Sequence, residues 1–282
     1  MQAILTAFLF LTGASAIPKP QDNCILVGGI FGCFKATEKD LAKTPHPGVT
    51  RIILSQSTIP TIKKEFFTNF PVLTDFDCNG NEIETIEDDA FQNTALLKYV
   101  GFSDNRLKRI NPDIFQNCPN IFWFNVSDNA NLTIPNNEPF LNAPHLQVLD
   151  LQRCNIEKLF SITFKNLTGL TFLSLAGNNI KVLPDDVFKP LNNLEILDLS
   201  DNKMETISLQ VFADIRPLFL FLAGNPWECD CALYPVIQWI ASFLVKEEIT
   251  CVKPYDKKWR DVVLNCPKST ITEVWNNFYK GI

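Results

Sequence analysis

The sequence predicts an α/β fold: a right-handed solenoid bent into a horseshoe, with a parallel sheet lining its concave side and disulfide-bonded caps at both ends. Three observations predict it. Apolar residues recur at a fixed offset ahead of an Asn or its substitute, starting at Leu73, Leu97, Ile121, Leu146, Leu170 and Leu194, and less perfectly near Leu220. A phenylalanine stands ten or eleven residues after each anchor, at Phe67, Phe91, Phe115, Phe140, Phe164, Phe188 and Phe212. Of nine cysteines, six lie outside the array, two before it and four after it.

In chain order, residues 1–16 are an apolar run closed by Ala14-Ser15-Ala16, the form of a cleavable signal peptide whose first residues carry no Lys or Arg. Export is therefore expected. The richest later apolar segment, Ala232 to Val245, is interrupted by Pro235 and Gln238 and falls short of the ~20 residues that span a bilayer. The C-terminus, Tyr279-Lys-Gly-Ile282, carries neither a lipid-anchor tail nor a retention signal. A secreted, extracellular protein without a membrane span is the expectation.

Residues 17–48 are assigned to an N-terminal cap. Cys24 and Cys33 flank Ile-Leu-Val-Gly-Gly-Ile-Phe-Gly, and a bridge between them would close a hairpin over the first strand.

Residues 49–224 form about eight repeats, the first and last degenerate. The best units, such as Leu170-Thr-Phe-Leu173-Ser-Leu175-Ala-Gly-Asn178, match the leucine-rich repeat pattern L-x-x-L-x-L-x-x-N/C-x-L. The anchors are Ser57, Asn81, Asn105, Asn129, Cys154, Asn178, Asn202 and Asn225, spaced 24, 24, 24, 25, 24, 24 and 23 residues apart. A lone repeat cannot bury its Leu face, whereas stacked copies bury one another's. The anchor amides are expected to form an internal ladder, because backbone groups freed where a strand turns must find partners. The phenylalanines fill the convex side.

In this register Cys78 occupies a core Leu position, Cys118 a convex apolar position and Cys154 the ladder. All three are expected to be buried, unpaired and structural. The C-terminal run Asn225-Pro-Trp-Glu-Cys229-Asp-Cys231, with Trp239, Cys251 and Cys266 beyond it, could hold zinc or form disulfides, and an exported chain favours disulfides. Residues 225–266 are read as the C-terminal cap and 267–282 as a tail. In the tail Trp275, Phe278 and Tyr279 share one side of a short helix, which would dock onto the cap, with a detachable interaction tail as the alternative.

Over residues 24–266 the chain resembles extracellular leucine-rich repeat proteins with cysteine-rich caps, a group that includes Toll ectodomains, Slit, chondroadherin and lamprey variable lymphocyte receptors. The resemblance implies the pairings Cys229–Cys251 and Cys231–Cys266, with Trp239 on a short helix from about Leu233 to Leu244. The N-terminal cap departs from the group's four cysteines, having only Cys24 and Cys33.

Function is expected on the concave face, where the third, fifth and seventh residues of each unit point outward. The third-position column reads Arg51, Asp75, Tyr99, Trp123, Val148, Phe172, Ile196 and Phe219. Its six consecutive apolar or aromatic rungs make a strip of about 24 Å at ~4.8 Å per strand. Such a strip suggests a binding surface, although cross-strand packing alone would also favour it. The fifth-position column, Ile53, Asp77, Gly101, Asn125, Asp150, Ser174, Asp198 and Phe221, is acidic. The expected ligand is an extracellular protein or peptide with an apolar ridge flanked by basic groups, contacted by Tyr99, Trp123, Val148, Asp150, Arg153, Phe172, Ile196, Asp198, Phe219 and Phe221. Pairing of two copies through the strip would use the same face.

Sequons occur at Asn125, Asn131 and Asn166. A glycan on Asn125 would divide the face and leave its C-terminal half free.

A net charge of −6 disfavours nucleic acid. The two histidines, His46 and His145, have no nucleophile–base partner in sequence, and no phosphate loop or metal spacing appears. The paired carboxylates Asp88-Asp89 and Asp185-Asp186 recur at one repeat offset, as a solvated turn would place them. A non-enzymatic role without cofactor or metal is expected. A structural or accessory subunit of a secreted or matrix assembly is the alternative to ligand recognition.

Overall fold

The computed structural model describes residues 23–41, 47–240, 249–253, 257–262, 264, 266, 267, 272 and 275. The leader at 1–16, His46, the end of the Leu233 to Leu244 helix, Phe278 and Tyr279 lie outside the described residues. Ten strands form one sheet in which each neighbour is the next turn of the chain. An antiparallel hairpin, β1 (Cys24–Val27) and β2 (Ile30–Phe34), opens it. From β2 onward every pair is parallel: β3 (Arg51–Ser55), then β5 (Asp75–Asp77), with β4 (Thr61–Ile62) and β6 (Thr85–Ile86) forming a separate two-stranded sheet. The sheet continues through β7 (Tyr99–Gly101), β8 (Trp123–Asn125), β9 (Val148–Asp150), β10 (Phe172–Ser174), β11 (Ile196–Asp198) and β12 (Phe219–Phe221). This is the right-handed repeat solenoid that the periodicity predicts.

Each unit is short because its strand is stopped by the residue before the anchor. Gln56, Asp104, Asp128, Arg153 and Asp201 have φ of 50–57°, and Gly80, Gly177 and Gly224 have φ of 67–71°. Left-handed backbone turns the chain inward, which Gly, Asn and Asp tolerate best. The anchor then catches the freed groups. Asn202, for example, donates from Nδ2 to the carbonyls of Leu175 (2.9 Å), Leu199 (3.1 Å) and Ser200 (3.1 Å), and accepts the Ile180 amide at 3.1 Å. Asn81, Asn105, Asn129, Asn178 and Asn225 repeat this arrangement.

Cys154 breaks it, donating its thiol to the Val126 and Gln152 carbonyls at 3.2 and 3.4 Å. A thiol is a weak acceptor. The amide that would have needed it, Leu132 N, donates instead to the Asn129 carbonyl at 3.0 Å.

On the convex side the carbonyl of the column phenylalanine accepts the amide three residues on: Thr94 N to Phe91 O at 3.1 Å, Leu167 N to Phe164 O at 3.1 Å, Leu191 N to Phe188 O at 2.9 Å. Twenty-four residues leave too little chain for an α-helix in each unit. Single turns therefore line this side, with 3-10 helices at Lys64–Phe67 and Leu209–Phe212. The seven column phenylalanines are buried. Phe91 and Phe115 stack at 5.6 Å and Phe164 and Phe188 at 6.0 Å. Such contacts contribute ~0.5–1.5 kcal/mol beyond area burial.

Among the described residues the named α-helices lie outside the array, α1 (Glu38–Leu41) before it and α2 (Tyr234–Ile240) after it. Trp239 of α2 extends the phenylalanine column, lying 4.9 Å from Phe212 with rings nearly parallel. Trp227 is fully buried, donates its indole N–H to the Leu222 carbonyl at 2.9 Å and meets Trp259 edge-on. Disulfides join Cys24 to Cys33, Cys229 to Cys251 and Cys231 to Cys266, while Cys78, Cys118 and Cys154 are buried thiols. Trp275 packs, half-buried, against the core.

Candidate binding face

Strand register decides what shares the concave surface. Arg51, Asp75, Tyr99, Trp123, Val148, Phe172, Ile196 and Phe219 are direct neighbours from β3 to β12. The central residue of each strand, from Ile52 to Leu220, is buried in the core, so the period of two sends both flanking residues outward. Trp123 and Phe219 are 38% and 53% exposed; Tyr99, Val148, Phe172 and Ile196 are half-buried. The Tyr99 and Trp123 rings lie 5.5 Å apart.

The strip is wider than the third-position column. Phe122 (39% exposed) and Leu218 (64%) stand at the second position of their units, which Thr50, Thr74, Lys98, Gln147, Thr171 and Glu195 fill elsewhere. Their apolar character against that polar column is the sequence signal that the periodicity argument passes over. At the C-terminal end Leu218, Phe219 and Phe221 form an exposed apolar cluster. Next to it, Gln147, Thr171, Glu195 and Arg216 line a shallow groove of about 580 Å³.

The fifth-position column is less uniformly exposed than its register implies. Asp77, Asn125, Asp150 and Asp198 are half-buried and Phe221 is 37% exposed. Ser174, expected on the open surface, is fully buried between the longer Asp150 and Asp198, and Gly101 is buried as well. Burial holds the carboxyls of Asp77 and Asp150 above the ordinary range, against the opposing pull of Arg51 and Arg153 and of bonds from the Asn79 and Gln152 amides.

Two arginines on this side are engaged. Arg51 meets Asp75 at 3.0 Å, and Arg153 holds Asp128 through Nε at 2.6 Å and Nη2 at 2.8 Å. That fork keeps the Asp128 carboxyl below its usual value. Arg153 is thus placed at the rim of the sheet, turned toward Asp128, while Asp150 and Asp198 lie on the face.

The sequons differ in setting. Asn131 is exposed; Asn125 is half-buried on β8, its Oδ1 accepting the Ser127 amide at 2.9 Å; Asn166 is half-buried with Nδ2 bonded to Asn142 Oδ1 at 2.7 Å. His145 is exposed in the loop before β9, and the carboxylate pairs Asp88-Asp89 and Asp185-Asp186 are exposed turn residues. Among the described residues no helix is long and apolar enough to cross a membrane, and no group of three or more His, Cys, Asp or Glu is placed to hold a metal ion.

A parallel repeat sheet, an asparagine ladder and bonded cysteines at both ends define a capped solenoid, the architecture of leucine-rich repeat proteins. The sequence matches the Leucine rich repeat family over residues 73–130, 95–156, 144–188 and 168–226. Together these cover 73–226, more than half of the 282 residues. The chain belongs to this family. Among solved structures 356 chains match. One is human 5T4 (Wnt-activated inhibitory factor 1, trophoblast glycoprotein), 20% identical with a TM-score of 0.70, the match covering 88% of this chain and 100% of that one. At that identity the likeness is one of fold. No curated protein matches the sequence.

Proposed function

We propose that this chain is a secreted, non-enzymatic recognition protein that binds an extracellular protein or peptide through its concave face. The observation that carries the proposal is the registered column from Tyr99 to Phe219, six apolar or aromatic rungs left partly open to solvent on a sheet whose interior is already filled. Cross-strand pairs such as Tyr99–Trp123 add only ~0.2–1 kcal/mol each, whereas apolar patches of this kind are where partners bind. The half-buried aspartates beside the column favour a ligand that brings cations. Residues 1–16 act as leader, 17–48 and 225–266 as caps, 49–224 as the array and 267–282 as a tail. Glycans at Asn131 and Asn166 would leave the face clear, and one at Asn125 would stand beside Trp123 and direct the ligand toward Val148, Phe172, Ile196 and Phe219.

The test is affinity capture from extracellular fluid, comparing the glycosylated wild-type chain with a Phe172→Asp, Ile196→Asp variant of equal thermal stability. A partner held by wild type and lost by the variant is the expected result. Equal capture by both would remove the concave strip as the binding surface.

A further inference from the structure

The concave sheet has a low rung. On β10 Phe172 is followed on the outer side by Ser174, and beyond the strand by Ala176, with the Arg153 stem lying over Gly177, while β9 and β11 on either side present Asp150 and Asp198 in register with Ser174. The result is a notch one strand wide with a carboxylate on each wall, the walls' backbones about 9.6 Å apart.

Three acceptors in this notch are unmet. Asp150 receives the Gln152 amide on Oδ1 at 3.0 Å, and Asp198 receives the Ser200 amide and hydroxyl on Oδ1 at 3.0 and 2.6 Å. Among the described residues the second oxygen of each carboxylate has no donor. Ser174 is fully buried and its Oγ has no hydrogen-bond partner, which is costly for a hydroxyl inside a protein. The nearest cation, Arg153, is committed to Asp128 by two bonds. Burial, together with the charges of Asp128 and Asp198, raises the Asp150 carboxyl, although the Gln152 amide and Arg153 oppose this. Arg153 acts on Asp150 from the side, but among the described residues no cation is bonded to Asp150 or Asp198.

The other small rung of the column shows what a closed notch looks like. A Cβ built on Gly101 would lie 3.0 Å from Asn79 Oδ1 and 3.1 Å from the Tyr99 hydroxyl. The protein fills that gap with its own polar groups, and Asn79 Oδ1 also accepts the Ser103 amide at 2.6 Å. At Ser174 the hydroxyl is likewise fully buried, beneath Asp150 and Asp198, but nothing bonds to it, so an incoming group reaches it as those two carboxylates turn aside.

The geometry points to the Asp150–Ser174–Asp198 notch as the receptor for a primary ammonium group, a lysine side chain of the ligand. Its three N–H donors match the two free carboxylate oxygens and the serine hydroxyl. A guanidinium is matched best by one carboxylate taken bidentately, as Asp128 takes Arg153, rather than by separate acceptors on two walls. The apolar neighbours of that lysine would then run over Phe172 and Ile196. This inference rests on the concave-face reading and names the chemistry of the group recognised there.

The probe is a short peptide of alternating phenylalanine and lysine, blocked at both ends, and its twin with every lysine Nζ acetylated. Both are titrated against the full secreted chain, against Asp150→Asn, Asp198→Asn and against Phe172→Asp, Ile196→Asp. Asparagine keeps the Oδ1 that receives the Gln152 and Ser200 amides, so the turns persist, and a melting temperature no lower than that of wild type verifies it. The expected result is at least tenfold weaker binding by the asparagine variant and by the acetylated twin, with zero-length carbodiimide coupling of the lysine peptide mapping to Asp150 or Asp198. Unchanged affinity in the asparagine variant, indifference to acetylation, or no binding by wild type would overturn the notch. If the Phe172→Asp, Ile196→Asp variant alone loses the captured partner, the concave face survives and the ammonium site falls; if neither variant matters, both fall.

Discussion

Replacing Asn178 by alanine tests the ladder on which the solenoid depends. Its Oδ1 accepts the amides of Cys154 and Ile156, both at 3.0 Å, and its Nδ2 donates to the carbonyls of Leu151 (2.9 Å), Leu175 (2.8 Å) and Ala176 (3.4 Å). Two of these five partners keep another bond, because Leu175 O also receives Asn202 Nδ2 and Ala176 O receives the Arg153 amide. Three buried backbone groups are left unmet: Cys154 N, Ile156 N and Leu151 O. At ~1–3 kcal/mol for each unsatisfied group, with some recovered by relaxation, Asn178→Ala should cost about 4 kcal/mol. The assay is urea unfolding of the oxidised, full-length chain followed by tryptophan fluorescence. Asn179→Ala is the control, since Asn179 is half-buried on the same turn and its Nδ2 bonds only Asn155 Oδ1; it should change stability by less than ~0.5 kcal/mol. A loss below about 1 kcal/mol for Asn178→Ala would refute the claim that the anchor amide satisfies groups the fold cannot otherwise pair.

Cys154→Ala should cost less than half as much as Asn178→Ala in the same assay, because the Leu132 amide is already held by the Asn129 carbonyl. Ser174→Ala should raise the thermal midpoint by an amount equivalent to ~1 kcal/mol, since it removes a buried hydroxyl without a partner, and should weaken the lysine peptide. Phe188→Ala should cost ~3–5 kcal/mol, as Phe188 is fully buried against Phe164, whereas Phe219→Ala at an exposed rung should leave unfolding nearly unchanged and reduce ligand binding. For pH, burial holds the Asp150 carboxyl above its ordinary value of 3.8 in the folded chain. Its ionisation therefore opposes folding above that raised pKa, and the penalty fades as pH falls toward 3.8. Asp150→Asn should stabilise the chain at pH 7 and give no gain at pH 3, as read from melting curves across that range. Asp128 has the opposite sign: its carboxyl is lowered by Arg153, so the stability it contributes is present above 3.8 and is lost as pH falls through its folded value.

Much of this architecture was legible because it is periodic. Residues such as Leu173, Leu175 and Asn178 take their places from spacing alone, and the same spacing predicts that Cys78, Cys118 and Cys154 are buried. The left-handed turn was readable at Gly80, Gly177 and Asp104, whose residue types tolerate positive φ, but not at Gln56 or Arg153, which adopt it because the stack on either side leaves no other path. The apolar column could be written down from the third position of each unit, since a strand's alternation is a local property. Phe122 and Leu218 were passed over because a position between the counted ones acquires a surface only when strands lie side by side.

What tertiary structure alone decided is how each outward residue is used. Ser174 and Asp198 hold the same position in neighbouring units, yet Ser174 is fully buried with an unpaired hydroxyl and Asp198 is half-buried and accepts from Ser200. Asp128 and Arg153 are 25 residues apart and become an ion pair only because the repeat returns them to adjacent turns. The physical reason is the same in each case. Periodic burial follows from the chain's own spacing, whereas charge pairing, depth and unmet hydrogen bonds depend on side chains one full repeat away, whose lengths differ from unit to unit. The sequence by itself therefore determined the scaffold and the face it presents; the folded stack determined which groups on that face are left open.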